Sequence, residues 1–203
     1  MNITFEESDD PQARQTNETV YLLYSRDPVR TPFQWDDTKF AGFSETTGKT
    51  WLPVHENYKT VNLDAQKKAE KSTYKLYKSL IELRKKNHVL QIGGYEGHAV
   101  ADNVFGFIRT LKDHETVAVF VNLGAEVVVN LKDLLDAKDF TDKTKAKILI
   151  VNNNSTMEVG KMVDNVQKIT LGAYDAIVLE VSSATKFTIS MLLIVCSLIK
   201  LIV

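Results

Sequence analysis

The chain has 203 residues, of which 44% are hydrophobic and 25% charged, and its formal net charge is −1 at pH 7. These values are typical of a globular protein, and the even mixture of basic and acidic residues provides no basic face for nucleic acid. The single cysteine, Cys196, excludes an internal disulfide and a thiolate metal site within this chain.

Residues 1–62 show no sustained hydrophobic period and contain both tryptophans, Trp35 and Trp51. Irregular segments longer than about 12–15 residues are uncommon in an independent domain. The acidic start of the chain also lacks the basic and apolar regions of a signal peptide. We therefore expect this segment to belong to a larger domain, and the chain to be the C-terminal part of a longer parent protein.

A change of pattern predicts a helix between Asn62 and Asn87. Apolar side chains recur there at spacings of three and four, as they do along one side of a helix. Asn62 or Asp64 can accept hydrogen bonds from the free N–H groups at the helix start. The opposite side is rich in lysine, which is typical of a solvated helix face.

Short runs rich in Val, Ile and Phe follow Gly93 and Gly94. No segment between these runs is long enough to be a crossover helix, so we predict an antiparallel β-sandwich. The predicted strands are Asn103–Leu111, Thr116–Leu123, Glu126–Leu131, Lys147–Asn152, Val166–Leu171 and Ala176–Val181.

An apolar tail, Ile189–Val203, ends the chain and follows the small residues Ser182, Ser183 and Ala184. The tail is shorter than the roughly 20 residues of a membrane span. Small residues before a hydrophobic tail are typical of a glycolipid-anchor signal, although the polar spacer here is shorter than the usual ~8–12 residues. We expect residues 182–203 to anchor the protein at the extracellular face of the plasma membrane. A buried terminal helix or an interfacial segment is the alternative.

Acceptor sequences for N-linked glycans favour the same lumenal setting. The candidate acceptors are Asn2, Asn17, Asn153 and Asn154. Such sequences also arise by chance in polar loops, so they support the setting without deciding it.

No motif in the sequence predicts a reaction by itself. Retaining glycosidases hold two carboxyl groups ~5–5.5 Å apart, whereas neighbouring acids such as Asp36 and Asp37 point in different directions on a regular backbone. Motifs for a nucleophilic serine, a nucleotide phosphate or a dinucleotide do not occur. We therefore assign no catalytic residue and no metal site to this chain. The sequence has four histidines, and none has a partner at the short spacing of zinc ligands. They are His55, His88, His98 and His114.

The segment Ser25–Asp37 (SRDPVRTPFQWDD), followed by Ala41–Ser44 and Thr50–Val54, resembles a signature of α-glucosidases in the α-amylase superfamily, in particular the maltases of insects. The resemblance continues more loosely to Val181. It implies an α/β barrel remnant, the end of a (β/α)8 barrel with its last helix, in residues 1–88. An all-β antiparallel sandwich is implied in residues 89–181.

Enzymes of this family hydrolyse terminal α-1,4-linked glucose with retention, using an aspartate nucleophile, a glutamate acid/base and a further aspartate. The motifs that carry these residues lie upstream of the signature. The resemblance therefore implies a maltose-like substrate for the parent protein and no activity for this chain alone. It implies no cofactor bound to this chain. A calcium ion remains possible in the parent protein, bound by residues outside this chain.

Arg30 is the candidate substrate-binding residue that the resemblance implies, because the family arginine before Thr-Pro binds a hydroxyl of the cleaved glucose. A guanidinium suits this role since its donors are planar and always charged. The alternative is that Arg30 pairs with a carboxylate and holds the loop. Trp35 and Trp51 either stack on sugar rings or anchor loops. Arg14 stands where family members often have cysteine, so a disulfide worth roughly 2–4 kcal/mol is lost if that cysteine is normally paired.

Two other functions fit the sequence less well. The heavy subunits of amino-acid transporters share the superfamily fold without catalysis, but an N-terminal transmembrane helix tethers them, which disagrees with a C-terminal anchor. A sugar-binding sandwich that folds alone would expose apolar surface at Phe33 and Trp35.

Overall fold

The computed structural model describes residues 3–45, 48–134 and 144–182, which form two compact units divided between Lys75 and Leu76. Asn2, Ser183, Ala184 and the apolar tail, to which the sequence assigns a glycan and the anchor, lie outside these ranges. Within them, no helix has both the length and the apolar character needed to cross a membrane.

The first unit consists of short helices and turns joined by irregular segments. Its helices are α1 (Pro11–Arg14), α2 (Leu63–Lys68) and the start of α3 (Thr73–Lys86). Short 3-10 helices lie at Tyr21–Leu23, Asp27–Val29, Lys39–Gly42 and Glu56–Lys59. The described part of residues 3–75 contains no strand, so its interpretation as the end of a barrel stays a prediction.

The start of α2 is tied to the signature segment. Asn62, one of the two capping residues that the sequence offers, caps the helix through its side-chain oxygen at 2.8 Å from the N–H of Ala65. The N–H groups of Leu63 and Asp64, which have no acceptor inside the helix, donate to the carbonyls of Gln34 and Trp35 at 2.9 Å each. These bonds fix the position of the signature relative to the helix.

The helix predicted between Asn62 and Asn87 is interrupted. Helix α2 ends before Ala69, whose ψ of 146° is extended. Helix α3 starts after Ser72, whose hydroxyl donates to the Gln66 carbonyl at 2.7 Å and accepts from the α3 backbone at 3.2 Å. The prediction of one continuous helix is wrong here because a serine that can cap a new helix competes with continuation of the old one.

In its described part, the second unit is mainly antiparallel β-structure. The strands are β1 (Gly94–Ala101), β2 (Val104–Thr110), β3 (Thr116–Asn122), β4 (Val127–Val129), β5 (Lys145–Val151), β6 (Ile169–Leu171) and β7 (Ala176–Ser182). They form one sheet in the order β1-β2-β3-β7-β5 and a separate two-stranded sheet of β4 and β6. The antiparallel pairing expected from the sequence is confirmed.

One face of the five-stranded sheet packs against the two-stranded sheet. Phe120, Ile177 and Leu179 are fully buried on this face. Ile169 and Leu171 of β6 belong to the same buried cluster. This cluster is the larger core of the second unit.

The opposite face of the sheet is covered by helices. Leu76 and Leu83 of α3 and Val89 of α4 (His88–Ile92) pack with Val117 and Val178. Since the central strands are buried on both faces, β3 is a nearly continuous apolar run rather than an alternating one.

Among the described strands, β1 is the one that the sequence does not predict. It lies at the sheet edge, pairs with β2, and exposes most of its side chains. Its glycines, a glutamate and a histidine interrupt any apolar alternation, so periodicity gives no signal. The other strands are predicted with shifts of a few residues at their ends.

We expect Phe120→Ala to lower the free energy of unfolding of the second unit by about 3–5 kcal/mol, because the fully buried ring leaves a cavity. Urea denaturation followed by circular dichroism measures the change. Phe105→Ala on the neighbouring strand is the matched control, since Phe105 is 40% exposed and should cost less than about 2 kcal/mol. Equal losses for the two variants would contradict the assigned core.

Candidate functional site

A buried carboxylate, that of Asp27, lies near the start of the signature segment and is 1% exposed. Its Oδ2 atom accepts hydrogen bonds from the Ser8 hydroxyl at 2.8 Å and from the N–H groups of Asp9 and Asp10 at 2.8 and 3.0 Å. A buried carboxylate needs such donors because desolvation of the charge is costly. Residues 8–10 and 25–27 are therefore held together through one oxygen atom.

A second buried carboxylate, that of Asp10, binds Arg26. The guanidinium of Arg26 donates through Nε to Oδ2 at 2.6 Å and through Nη2 to Oδ1 at 2.9 Å. The Arg26 side chain stays 47% exposed, whereas that of Asp10 is fully buried. The hydrogen bond from Arg26 is the main cause that holds the pKa of Asp10 well below its ordinary value of 3.8, against the effect of burial.

Arg14 holds the same loop by a different route. Its Nε donates to the Ser8 carbonyl at 2.6 Å, and its Nη2 donates to the Glu6 carbonyl at 3.4 Å. The loop at the position of the family cysteine is thus tied by hydrogen bonds to backbone oxygens.

Arg30 lies three residues after Asp27 and has a different environment from Arg26. Its side chain is exposed, and among the described residues it makes no hydrogen bond and no ion pair. The carboxylate partner that would make Arg30 a loop-holding residue is therefore not present in the described part of the chain. The guanidinium of Arg30 can therefore donate hydrogen bonds to a ligand.

A left-handed turn follows the signature. Phe40, Ala41 and Gly42 have φ values of 55°, 56° and 64°, which cost free energy for the first two residues because they carry a side chain. The Ala41 carbonyl accepts from the N–H of Trp35 at 2.9 Å. A side chain at position 42 would lie 2.5 Å from Asp36 Oδ2, so glycine is required there.

The two tryptophans predicted to stack or to anchor occupy different surroundings. Trp35 is 49% exposed and packs edge-to-face on Phe33, with ring centres 4.7 Å apart. Trp51 is 71% exposed and lines a cavity of about 590 Å³ in the first unit together with Phe40 and Tyr58.

The described candidate glycan acceptors differ in accessibility. Asn17 and Asn154 are exposed, and Asn153 is half-buried. Ser155, which completes the acceptor sequence of Asn153, is 7% exposed and its hydroxyl donates to Asp175 Oδ2 at 3.3 Å. Ser182, the first candidate anchor residue, is the last residue of β7 and pairs with Lys145.

No cluster of three or more His, Cys, Asp or Glu side chains suited to a metal ion occurs in the described residues. His88 and His114 lie near each other, with ring centres 5.8 Å apart, but two histidines alone do not make such a cluster.

Comparison with known proteins gives the family. Residues 1–93 match the model of the alpha-amylase catalytic domain. The chain is 35% identical over 185 residues to an alpha-glucosidase of Apis mellifera and 41% identical over 138 residues to a salivary alpha-glucosidase of Aedes aegypti. The chain belongs to the α-amylase superfamily.

Solved structures agree with this assignment. This chain superposes on the trehalulose synthase of Pseudomonas mesoacidophila MX-45 with a TM-score of 0.70 and 26% sequence identity. The superposition includes 90% of this chain and 33% of the synthase chain. A trehalose-6-phosphate hydrolase of Bacillus licheniformis gives a TM-score of 0.70 at 25% identity, with coverage of 90% and 34%.

The match to the insect relatives is partial in length. The alignments include 91% of this chain but 31% of the Apis enzyme, and 68% of this chain but 24% of the Aedes enzyme. The chain therefore spans less than a third of these curated relatives.

Sequence reasoning singled out Arg30 but missed Asp10, Arg26 and Asp27. One signal was readable: Asp10 precedes Pro11, and an acidic N-cap before proline is a common helix start. The pairing of Asp10 with Arg26 joins residues 16 apart through irregular backbone, where no periodicity applies.

We expect acid to destabilise the first unit partly through Asp10. A carboxyl whose pKa is lower in the folded state than in the unfolded state stabilises the fold. This contribution is complete when the pH is above the unfolded pKa, near 3.8 for Asp10, and it is lost as the pH falls through the folded pKa. Unfolding measured between pH 6 and pH 2 should therefore show a weaker pH dependence for Asp10→Asn than for the unchanged chain. Glu7 and Asp36, whose pKa values are also lowered by hydrogen bonds from Thr4 and Thr38, contribute equally to both proteins. Parallel pH profiles would contradict the role of Asp10.

We expect Arg14→Ala to lower the free energy of unfolding of the first unit by on the order of 1 kcal/mol, through loss of its bonds to two carbonyls. Arg14→Lys is the control, because it keeps the charge but cannot reproduce both donors. If Arg14→Lys were as stable as the unchanged chain, the positive charge rather than the two hydrogen bonds would stabilise the first unit, which would contradict the prediction. Denaturant titration of the three proteins measures the difference.

Proposed function

We propose that this chain is part of an α-glucosidase that hydrolyses terminal α-1,4-linked glucose with retention, as in digestion of maltose-like sugars. The observation that carries the proposal is the similarity of most of the chain to insect enzymes named alpha-glucosidase or maltase, including Maltase 1 of Drosophila virilis at 39% identity over 150 residues. Bacterial relatives include an oligo-1,6-glucosidase of Bacillus cereus at 33% identity. The α-1,4 linkage is therefore proposed from the similarity to the insect enzymes, which is higher.

The two buried carboxylates of the first unit, those of Asp10 and Asp27, support a structural role for this part of the enzyme. Asp10 and Asp27 are occupied by Arg26 and by backbone donors. Glu7 accepts hydrogen bonds from the backbone N–H and the hydroxyl of Thr4, which lower its pKa. We propose that the nucleophile and the acid/base lie in another part of the enzyme.

We propose that Arg30 donates to a hydroxyl of the glucose that is cleaved. Its exposed and unpaired guanidinium follows a segment that Asp27 and Asp10 hold in place, so the arginine is free to bind while its backbone is fixed nearby. A ligand hydroxyl bound to a charged donor contributes more than one bound to a neutral donor.

We propose an extracellular setting, with N-linked glycans at Asn17 and Asn154 and a glycolipid anchor after β7. Asn154 is preferred to Asn153 because it is exposed and its acceptor sequence ends in exposed Thr156. Ser183 and Ala184 are preferred to Ser182 as attachment residues, since Ser182 is paired within the sheet. Glycosidase and phospholipase treatment of the protein from its native cells tests both modifications.

The transporter-subunit alternative is not favoured, because the relatives named above are hydrolases. The stand-alone sandwich also loses support, since the similarity to these enzymes includes the first unit as well as the sheet.

The direct test is a chimera in which the 185 aligned residues of this chain replace the matched 31% of the Apis mellifera α-glucosidase. We expect the chimera to release 4-nitrophenol from 4-nitrophenyl α-glucoside and the isolated chain to be inactive. Turnover by the isolated chain would place the catalytic carboxylates within it. A folded but inactive chimera would contradict the proposed function.

In the active chimera, we expect Arg30→Ala to lower kcat/KM by roughly 10–100-fold, the loss produced by removing one charged hydrogen bond. Arg26→Ala is the comparison within the same segment, and we expect it mainly to lower thermal stability because Arg26 holds buried Asp10. If Arg26→Ala abolished turnover in folded protein while Arg30→Ala did not, the role assigned to Arg30 would be wrong.

A further inference from the structure

Two helices lie inside the catalytic-domain match, whereas the sheet that they cover lies beyond it. Residues 1–93 match that domain and include α4 and α3, which belongs to the second unit from Leu76 onward, while β1 starts at Gly94. We propose that the five-stranded sheet is the platform on which α3 and α4 fold, and that the helices and the sheet open as one cooperative unit. The last helices of the catalytic-domain match therefore depend on residues after it for their stability.

The sheet face beneath the helices needs a cover. Val117 is fully buried on this face and Val178 is 8% exposed. The helix side chains that pack with them are Leu76 and Leu83 of α3 and Val89 of α4. An apolar sheet face that meets water loses its hydrophobic stabilisation, so a sheet packs each apolar face against another element. We call the buried residues of this face the helix-side cluster, and they are Val89, Val117, Val119, Ile150 and Val178.

Helix α3 needs the sheet in turn. It has 14 residues, and helices of about 12–15 residues or fewer are marginal in water without tertiary packing. Its first turn contains no acidic residue to offset the partial positive charge of the helix start. Its packing on the sheet comes from Leu76 and Leu83, which are half-buried against the helix-side cluster. The helix and the sheet face therefore stabilise each other.

Hydrogen bonds join α3 to α4 and α4 to the sheet. The last carbonyls of a helix have no donor inside it. Gln91 of α4 donates through Nε2 to two such carbonyls of α3, those of Arg84 and Lys85, at 3.1 and 2.7 Å. Directly after α4, the Gly93 carbonyl accepts from Nη2 of Arg109 on β2 at 2.7 Å. These bonds run from the end of α3 to the second strand of the sheet.

Cooperative folding of the helices and the sheet does not require the proposed activity. It rests on buried contacts within one unit, so it does not depend on which surfaces a longer enzyme would cover. An inactive chimera would contradict the proposed function and leave the coupling of α3 to the sheet unaffected, because that coupling is measured without turnover.

Hydrogen exchange of the backbone amides of α3 and β3 in the full chain, followed by mass spectrometry of peptides, measures the coupling. If helix and sheet open together, we expect the slowest amides of α3 to be protected to the same extent as those of β3. Leu83→Ala should then speed exchange in both elements by about tenfold or more, because it removes a leucine from a shared core. Faster exchange in α3 alone would overturn the proposal.

Leu80→Ala is the matched control, since it is the same substitution on the same helix and changes helix propensity equally. Leu80 is 38% exposed and, within the described residues, is not part of the packing on the helix-side cluster. We expect β3 to exchange within about twofold of the unchanged chain in this variant. Equal acceleration of β3 by both variants would contradict a specific contact at Leu83. If Leu83→Ala fails to fold, Leu83→Val and Leu80→Val give the same comparison with a smaller loss.

Tryptophan fluorescence distinguishes the two units. Both tryptophans, Trp35 and Trp51, lie in the first unit. In urea, we expect Leu83→Ala to move the transition seen by circular dichroism to a lower concentration and to leave the transition seen by fluorescence unchanged. A shift of the fluorescence transition alone would place α3 with the first unit and overturn the proposal.

Discussion

The first unit depends on two carboxylates that are buried from water. A buried carboxylate destabilises a fold unless donors surround it, so Asp27 and Asp10 require residues 8–10 and 25–27 to lie side by side. Regular secondary structure contributes little here, since the helices in this part are a few residues long. The backbone is therefore ordered by side-chain acceptors, and removal of one acceptor affects several loop segments together.

This constraint separates the roles of two arginines that are four residues apart. Arg26 donates to both carboxylate oxygens of Asp10 through one edge of its guanidinium, whereas the Arg30 side chain has no partner among the described residues. Arginine therefore has a structural role at position 26 and can bind a ligand at position 30. The difference arises because position 26 lies beside the carboxylate of Asp10. A fixed segment that ends in a free cation loses little conformational entropy when it binds a ligand.

The sequence predicts the second unit better than the first for a physical reason. Strands such as β3 and β7 are marked by apolar runs because their side chains are buried, and the edge strand β1 is unmarked because its side chains are exposed. In the first unit, a family signature indicates where the loop lies but not what holds it. The pairs Asp10–Arg26 and Ser8–Asp27 join residues 16 and 19 apart, a distance at which no local pattern operates. The break at Ser72 was not predicted because the apolar spacing of three and four continues across it, while the tendency of serine to cap a new helix is a weaker signal.

The exposed aromatic rings of the first unit differ in what surrounds them. Trp35 has an aromatic neighbour, Phe33, that covers part of its ring. Trp51 instead faces a space lined by balanced charges, while the adjacent Leu52 is buried. The neighbours of the two rings therefore differ, although both rings are exposed in this chain. Exposure by itself does not distinguish a ring that binds a ligand from one that packs on another part of the enzyme, so the pairing of each ring with its neighbours is what separates them.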